Sequence, residues 1–257
     1  ALKYGDNSAY WNNKIKKMKK SIVTLLGLLC VMVADAQNEV GSWSVIPRVG
    51  VNLSNLSNDC YAIGSEETPG TQKSQYKAGM KAGVEVEYQA TATTALSVGL
   101  FYSMQGSRFP DMLKSYKGMD ANEPVTNYTA ISDFTNDLQY LAVPIMLHRY
   151  IFKGFSVGVG VQLGYLLKAK THLCSQQYVE YTDGAHKYEP INTYDNDVTS
   201  STKRFDFSAP IIGISYEYEN VILDARYALG LTNTSKIDVV NTKNRNFDVT
   251  IGYRFSL

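Results

Sequence analysis

The chain has three histidines, His148, His172 and His186, and they are the side chains whose ordinary pKa suits general acid–base work near neutrality. His172 and His186 lie in a stretch rich in serine and aspartate, so a hydrolase or acyltransferase is the first chemistry to test. No Gly-x-Ser-x-Gly elbow accompanies them. His172, Cys174, Asp183 and His186 are metal-ligand types at a spacing that fits no zinc pattern, and Asp195-Asn196-Asp197 lacks the glycine and distal glutamate of a calcium loop. The glycines Gly158, Gly160 and Gly164 precede no helix that could cradle a phosphate. The expectation is therefore no catalytic residue, no metal, no cofactor and no enzyme.

A second set of residues is charged and sits in register with an alternating pattern: Arg48, Lys81, Glu85, Glu87, Glu217, Asp224, Arg226, Asp248 and Arg254. Each occupies the polar position of a segment in which every second residue is large and apolar. Mixed signs at such positions predict a structural network of ion pairs in a narrow interior rather than a charge-selective path, because a buried charge is costly unless paired.

The elements that hold these residues follow from that alternation. Phe155, Val157, Val159, Val161, Leu163, Tyr165 and Leu167 oppose Ser156, Gly158, Gly160, Gln162 and Gly164, and the same period of two recurs around Val45, Val84, Val98, Val143, Ile214, Leu223 and Val249. Eight strands result. Short connections at 89–94, 148–153 and Glu219-Asn220 alternate with long polar ones at 54–76, 107–136, 169–203 and 230–244, the pattern of an outer-membrane barrel with short periplasmic turns and long outer loops. Strands of about 9–11 residues suit a tilted bilayer crossing. The fold class is thus all-β: an eight-stranded antiparallel up-and-down transmembrane β-barrel, which leaves no open edge. Pro47, Pro144 and Pro210 fall inside predicted strands and are expected at bulges or rims.

Ahead of the strands, Met18-Lys19-Lys20, an apolar run from Ile22 to Val33 and Ala34-Asp35-Ala36 read as a secretory signal peptide over 18–36, cleaved between Ala36 and Gln37. Residues 1–17 read as an upstream extension, and 37–257 as the barrel domain. The formal charge of +1 changes meaning accordingly: residues 1–36 hold six lysines and two aspartates, leaving 19 basic and 22 acidic residues after Gln37. That balance gives no basic footprint for nucleic acid. Cys60 and Cys174 both lie in polar sequence of an exported chain, so they are either a disulfide pair or two separate thiols. Of 19 tyrosines, Tyr88, Tyr102, Tyr218, Tyr227 and Tyr253 point outward as membrane girdles, whereas Tyr178, Tyr181, Tyr188 and Tyr194 enrich the third long loop, where their roles are loop packing or recognition.

Tyr140-Leu141-Ala142-Val143-Pro144-Ile145-Met146-Leu147, then Lys153-Gly154-Phe155 and Gly160-Val161-Gln162-Leu163-Gly164-Tyr165-Leu166-Leu167, resemble the PorT-like outer-membrane β-barrel family. The ending Ile251-Gly252-Tyr253-Arg254-Phe255 resembles its last strand and the C-terminal insertion signal of outer-membrane proteins, carried by Gly252, Tyr253 and Phe255. The family commonly has a glutamate where this chain has Ala142. The resemblance implies an integral outer-membrane protein that contacts membrane lipid, is inserted by barrel-assembly machinery, and meets a surface or secretion partner through its long loops. A non-enzymatic structural or surface-interaction role comes first, an accessory role in protein secretion second, and a loop-based enzyme third.

Overall fold

The computed structural model describes residues 39–65, 68–121, 123–236 and 241–257. The predicted signal peptide, with Ala36 and Gln37, lies outside the described residues. Fourteen strands follow in chain order: β1 (Trp43–Ser57), β2 (Cys60–Gly64), β3 (Pro69–Lys73), β4 (Lys77–Thr91), β5 (Thr94–Arg108), β6 (Met112–Asp120), β7 (Glu123–Phe152), β8 (Phe155–Tyr181), β9 (His186–Tyr188), β10 (Asn192–Asp197), β11 (Phe205–Tyr218), β12 (Val221–Gly230), β13 (Lys243–Tyr253) and β14 (Phe255–Ser256). Eight of them form a closed antiparallel ring, β1-β4-β5-β7-β8-β11-β12-β13, which β13 completes by pairing with β1 from Arg48↔Gly252 to Ser57↔Lys243. The eight-stranded barrel expected from the alternation is the fold.

Three connections at one end are two-residue turns, Ala92-Thr93, Lys153-Gly154 and Glu219-Asn220. Glu219 and Asn220 both take positive φ, 46° and 69°, the conformation whose twist matches a tight hairpin. The turns expected at 89–94 and 148–153 are shorter than six residues because the flanking strands run on to Thr91 and Phe152.

The other end departs further from expectation. Segments 107–136 and 169–203 are largely strand rather than irregular loop: β7 has 30 residues and β8 has 27, well beyond a bilayer crossing. Past the barrel they remain paired, from Asp137↔Lys170 to Val125↔Tyr181, and recruit β6, β2 and β3 on one side and β9 and β10 on the other. Two register shifts mark the change, at Gln139/Tyr140 and at Ser132/Thr135, where Asp133 has φ 53°. Each inserts a residue and re-aims the strands.

The three prolines predicted inside strands, Pro47, Pro144 and Pro210, each coincide with a missing ladder pair on at least one side. Pairing of β1 with the last strands stops at Arg48 and resumes at Val45, skipping Pro47. Pairing of β5 with β7 skips from Val98↔Ile145 to Phe101↔Ala142, and Gly99 is bare where a Cβ would lie 3.2 Å from the Pro144 ring. Pro210 sits in a bulge between Ser208 and Ile211 that interrupts both neighbours.

Candidate functional site: the lumen and the sheet beyond it

Inward positions carry the charges. All nine predicted lumen residues have side chains no more than 8% exposed, and each has an oppositely charged partner. Glu85 lies at the centre: Arg48 Nε is 2.7 Å from its Oε2, and Arg226 Nη2 donates to both carboxylate oxygens at 3.1 and 2.8 Å. Arg226 Nε also reaches Asp224 at 2.7 Å. Toward the short-turn end, Arg254 joins Glu87 at 2.8 Å and Glu217 at 2.9 Å, while the Tyr150 hydroxyl donates to Glu87 at 3.0 Å. Toward the other end, Lys81 pairs with Asp248 at 2.5 Å and lies 5.2 Å from the Phe101 ring centroid. These contacts join strands on opposite sides of the ring. Each arginine or lysine thus trades bulk hydration for two or more fixed partners, the condition under which buried charge is tolerated.

Above the charged levels the filling turns polar and then apolar. Asn246 Nδ2 donates to Gln105 at 3.0 Å, and Leu56, Leu138, Tyr140, Leu166 and Ala169 form a buried apolar layer. Val198 packs on that layer, held by its own amide to the Ala169 carbonyl at 3.0 Å and by Thr199 Oγ1, which accepts from the Ala169 amide at 2.8 Å. Bare glycines admit the larger side chains: the Tyr140 ring lies over Gly164, and Met146 over Gly160.

His148 belongs to the lumen as well. Its Nε2 lies 3.0 Å from Ser97 Oγ, which donates to Glu85 at 2.5 Å. Serine and carboxylate therefore approach the same ring nitrogen, an arrangement unlike a catalytic triad, in which the carboxylate orients the opposite nitrogen. His172 and His186 stand apart. His172 Nδ1 lies 2.8 Å from Asp195, and His186 stacks with Tyr188 at 6.0 Å. Among the described residues no group of three or more histidine, cysteine, aspartate or glutamate side chains is arranged to hold a metal.

The sheet beyond the barrel has a core of its own, in which Phe109, Met112 and Ile131 are buried and Tyr61, Ile63, Phe134 and Leu173 pack on them. On its opposite face Tyr128, Tyr178 and Tyr188 form a row across β7, β8 and β9 with centroids 4.6 and 5.2 Å apart. The Tyr128 hydroxyl donates to Glu180 at 2.8 Å, which holds its pKa above the usual tyrosine value. Asp59 sits near the barrel mouth, where burial pushes its carboxyl up against the opposing effect of Ser107 and Asn136. Cys60 and Cys174 are both free thiols. The disulfide reading is corrected by geometry: Cys60 opens β2 opposite Lys73, whereas Cys174 lies in β8 with its sulfur 3.6 Å from Thr193 Oγ1.

The lumen residues outside the predicted charged set are neutral or lie beside a bulge: Asn52, Ser97 and Gln105, which the alternation already turns inward, and His148, Asn244, Asn246 and Asp206, which it does not single out, are all buried. Outward, valine, leucine and isoleucine cover the wall, with Trp43, Tyr88, Tyr218, Tyr253 and Phe255 toward the short-turn end and Tyr102, Tyr165, Phe205 and Tyr227 toward the other. Such aromatic bands mark both edges of an apolar belt. Gly252, Tyr253 and Phe255 stand at the closing seam, where Phe255 pairs with Val45.

The family model described as outer membrane protein beta-barrel domain matches residues 35–236. The chain belongs to that family. It is an integral outer-membrane β-barrel, with its short turns periplasmic and the long sheet extracellular. No curated protein matches it. Among solved structures, the attachment invasion locus protein Ail of Yersinia pestis is similar at 15% identity over 84% of this chain and 100% of that one, with a TM-score of 0.37. Neisserial surface protein A is similar at 10% identity over 83% and 97%, TM-score 0.35. The translocator domain of the autotransporter NalP from Neisseria meningitidis is similar at 13% over 98% and 99%, TM-score 0.24. At these values the family match, not the superpositions, carries the assignment.

Proposed function

We propose that this outer-membrane barrel is a non-enzymatic protein whose lumen passes no solute and whose extracellular sheet is its working surface, in an envelope-structural or surface-interaction role. The observation that carries this reading is the contrast between a lumen filled by paired charges under an apolar layer and a sheet that continues β7 and β8 far beyond the bilayer. An eight-stranded barrel has an interior only wide enough for side chains, which agrees with a closed lumen. The apolar belt contacts outer-membrane lipid, and the Gly252, Tyr253 and Phe255 positions suit recognition by the insertion machinery. Reconstituted into planar bilayers, the protein is expected to give no unitary conductance; steady single-channel steps overturn the closed lumen. The absence of enzymatic activity is tested with His172→Ala and His186→Ala, which are expected to leave every envelope hydrolysis or acyl-transfer activity unchanged.

A second reading, an accessory of protein secretion as the PorT-like resemblance implies, is favoured by the sheet's edge. β10 is exposed at all six positions and pairs only through its β8 side among the described residues, so its outer edge offers main-chain groups to a partner strand. Extraction in mild detergent distinguishes the two readings. Stoichiometric co-purification of envelope proteins supports the secretion role, and a lone monomer counts against it.

A further inference from the structure

Among the described residues, Asp206 is the one buried carboxylate of the lumen with no cationic partner. It is 5% exposed, and only hydroxyls approach it: Thr232 Oγ1 donates to one oxygen at 2.6 Å and Ser208 Oγ to the other at 3.3 Å. The nine charges below it already carry one more acid than base, so with Asp206 the described residues give the lumen four cations and six carboxylates. A carboxylate ionised in such surroundings costs several kcal/mol unless a positive charge meets it.

Beside it, a run of neutral oxygens lacks hydrogen-bond partners. Asn244 is fully buried and donates its Nδ2 to the Tyr140 hydroxyl at 3.4 Å, which leaves Oδ1 without a partner; Asn246 Oδ1 and Ser54 Oγ, one row toward the periplasm, are in the same state. The rows connect these groups. Ser208 pairs with Gly230, where a Cβ would lie 2.7 Å from the Asn244 carbonyl oxygen, and Ser54 pairs with Asn246. Tyr140 closes the other side, since its Cδ1 and the Asp206 Cβ lie 3.2 and 3.5 Å from the same point above Gly164. Buried polar atoms in folded proteins are almost always satisfied, so acceptors clustered beside an unpaired carboxylate call for a donor or a cation.

We propose that the outer third of the lumen holds a monovalent alkali cation, bound by the Asp206 carboxylate with Ser208 Oγ and Asn244 Oδ1. All the candidate ligands are hard oxygens, which selects alkali or alkaline-earth ions over transition metals. A single carboxylate among neutral oxygens suits a single positive charge, whereas calcium sites gather six to eight oxygens, commonly from several acids. The cation neutralises Asp206 and fixes the level at which polar filling gives way to the apolar layer of Leu56, Leu138 and Leu166.

Thermal unfolding of the detergent-solubilised full chain tests this, read by the heat-modifiable gel shift in sodium chloride against choline chloride at equal ionic strength. The expected result is a midpoint higher in sodium by about 4 °C near tenfold the dissociation constant. The gain saturates with concentration and disappears in Asp206→Asn. Equal midpoints in the two salts, or a sodium effect retained by Asp206→Asn, overturn the proposal. Should Asp206→Asn not fold, wild-type crystals soaked in thallium(I) give the second reading. An anomalous peak against Asp206 supports the site, and ordinary water density there overturns it.

Discussion

Below their register shifts, β7 and β8 turn Leu141, Val143, Ile145, Val159, Leu163 and Leu167 outward, and Gln162 and His148 inward; above them the same strands turn Lys168, Lys170, His172 and Glu180 outward, and Ile131, Val125 and Leu173 inward. One pair of strands thus carries two opposite polarities, and the solvent on the outer face explains both. In the bilayer the outer face is apolar and the charged groups are driven into the lumen, where only mutual pairing satisfies them. In water the ordinary arrangement returns, with an apolar core inside and polar groups outside. The two regions are therefore held by different forces, the lumen by ion pairs and hydrogen bonds, the sheet by the Phe109, Met112 and Ile131 core.

Substitutions should separate those forces. The largest effect is expected from Glu85→Gln, which leaves Arg48 and Arg226 without their shared carboxylate; a loss of about 3–5 kcal/mol should appear as a lower urea midpoint for the whole barrel. An unchanged midpoint would show that the pairs contribute nothing to holding the ring. Ile131→Ala is expected to cost about 2–4 kcal/mol, confined to the extracellular sheet: protease cleavage between 107 and 136 should rise while the gel shift of the barrel stays as it was. Joint loss of barrel and sheet would break the distinction between them. Tyr178→Ala, which removes the centre of the tyrosine row, should cost about 1 kcal/mol, seen as faster amide exchange in β9 and β7 beyond the barrel.

The smallest effect concerns Asp59. Its carboxyl is raised by burial, so the folded state binds a proton more tightly than the unfolded chain does. Its contribution to stability is therefore full below the ordinary aspartate value and declines as pH climbs from there through the raised folded one. Asp59→Asn should remove that decline and slightly steady the β2/β3 hairpin at neutral pH, measured as protease resistance of segment 58–76 at pH 4 and pH 7. A decline that persists in the variant assigns it to another group.

Much of this was readable without coordinates, for a definite reason. Period-two alternation fixes which residues share a face, so the inward set from Arg48 to Arg254 needs no knowledge of neighbours. Partner choice does: Glu85 and Arg226 are 141 residues apart, and ring closure brings them together. Asp206 escaped because extending the alternation back from Ile212 places it outward, whereas the bulge at Ala209-Pro210 reverses the faces. The extracellular strands escaped because β6, β9 and β10 have no lipid on either side and so no greasy alternation to betray them.

The sequence alone determined the barrel, its strand count, its orientation and the identity of most lumen charges, since each follows from local pattern and connection length. Tertiary structure decided which charges meet, that the two cysteines stay apart, and that two expected loops are a sheet. Those outcomes depend on ring closure, on bulges that reverse a strand's faces, and on long-range pairing, none of which leaves a local mark on the chain.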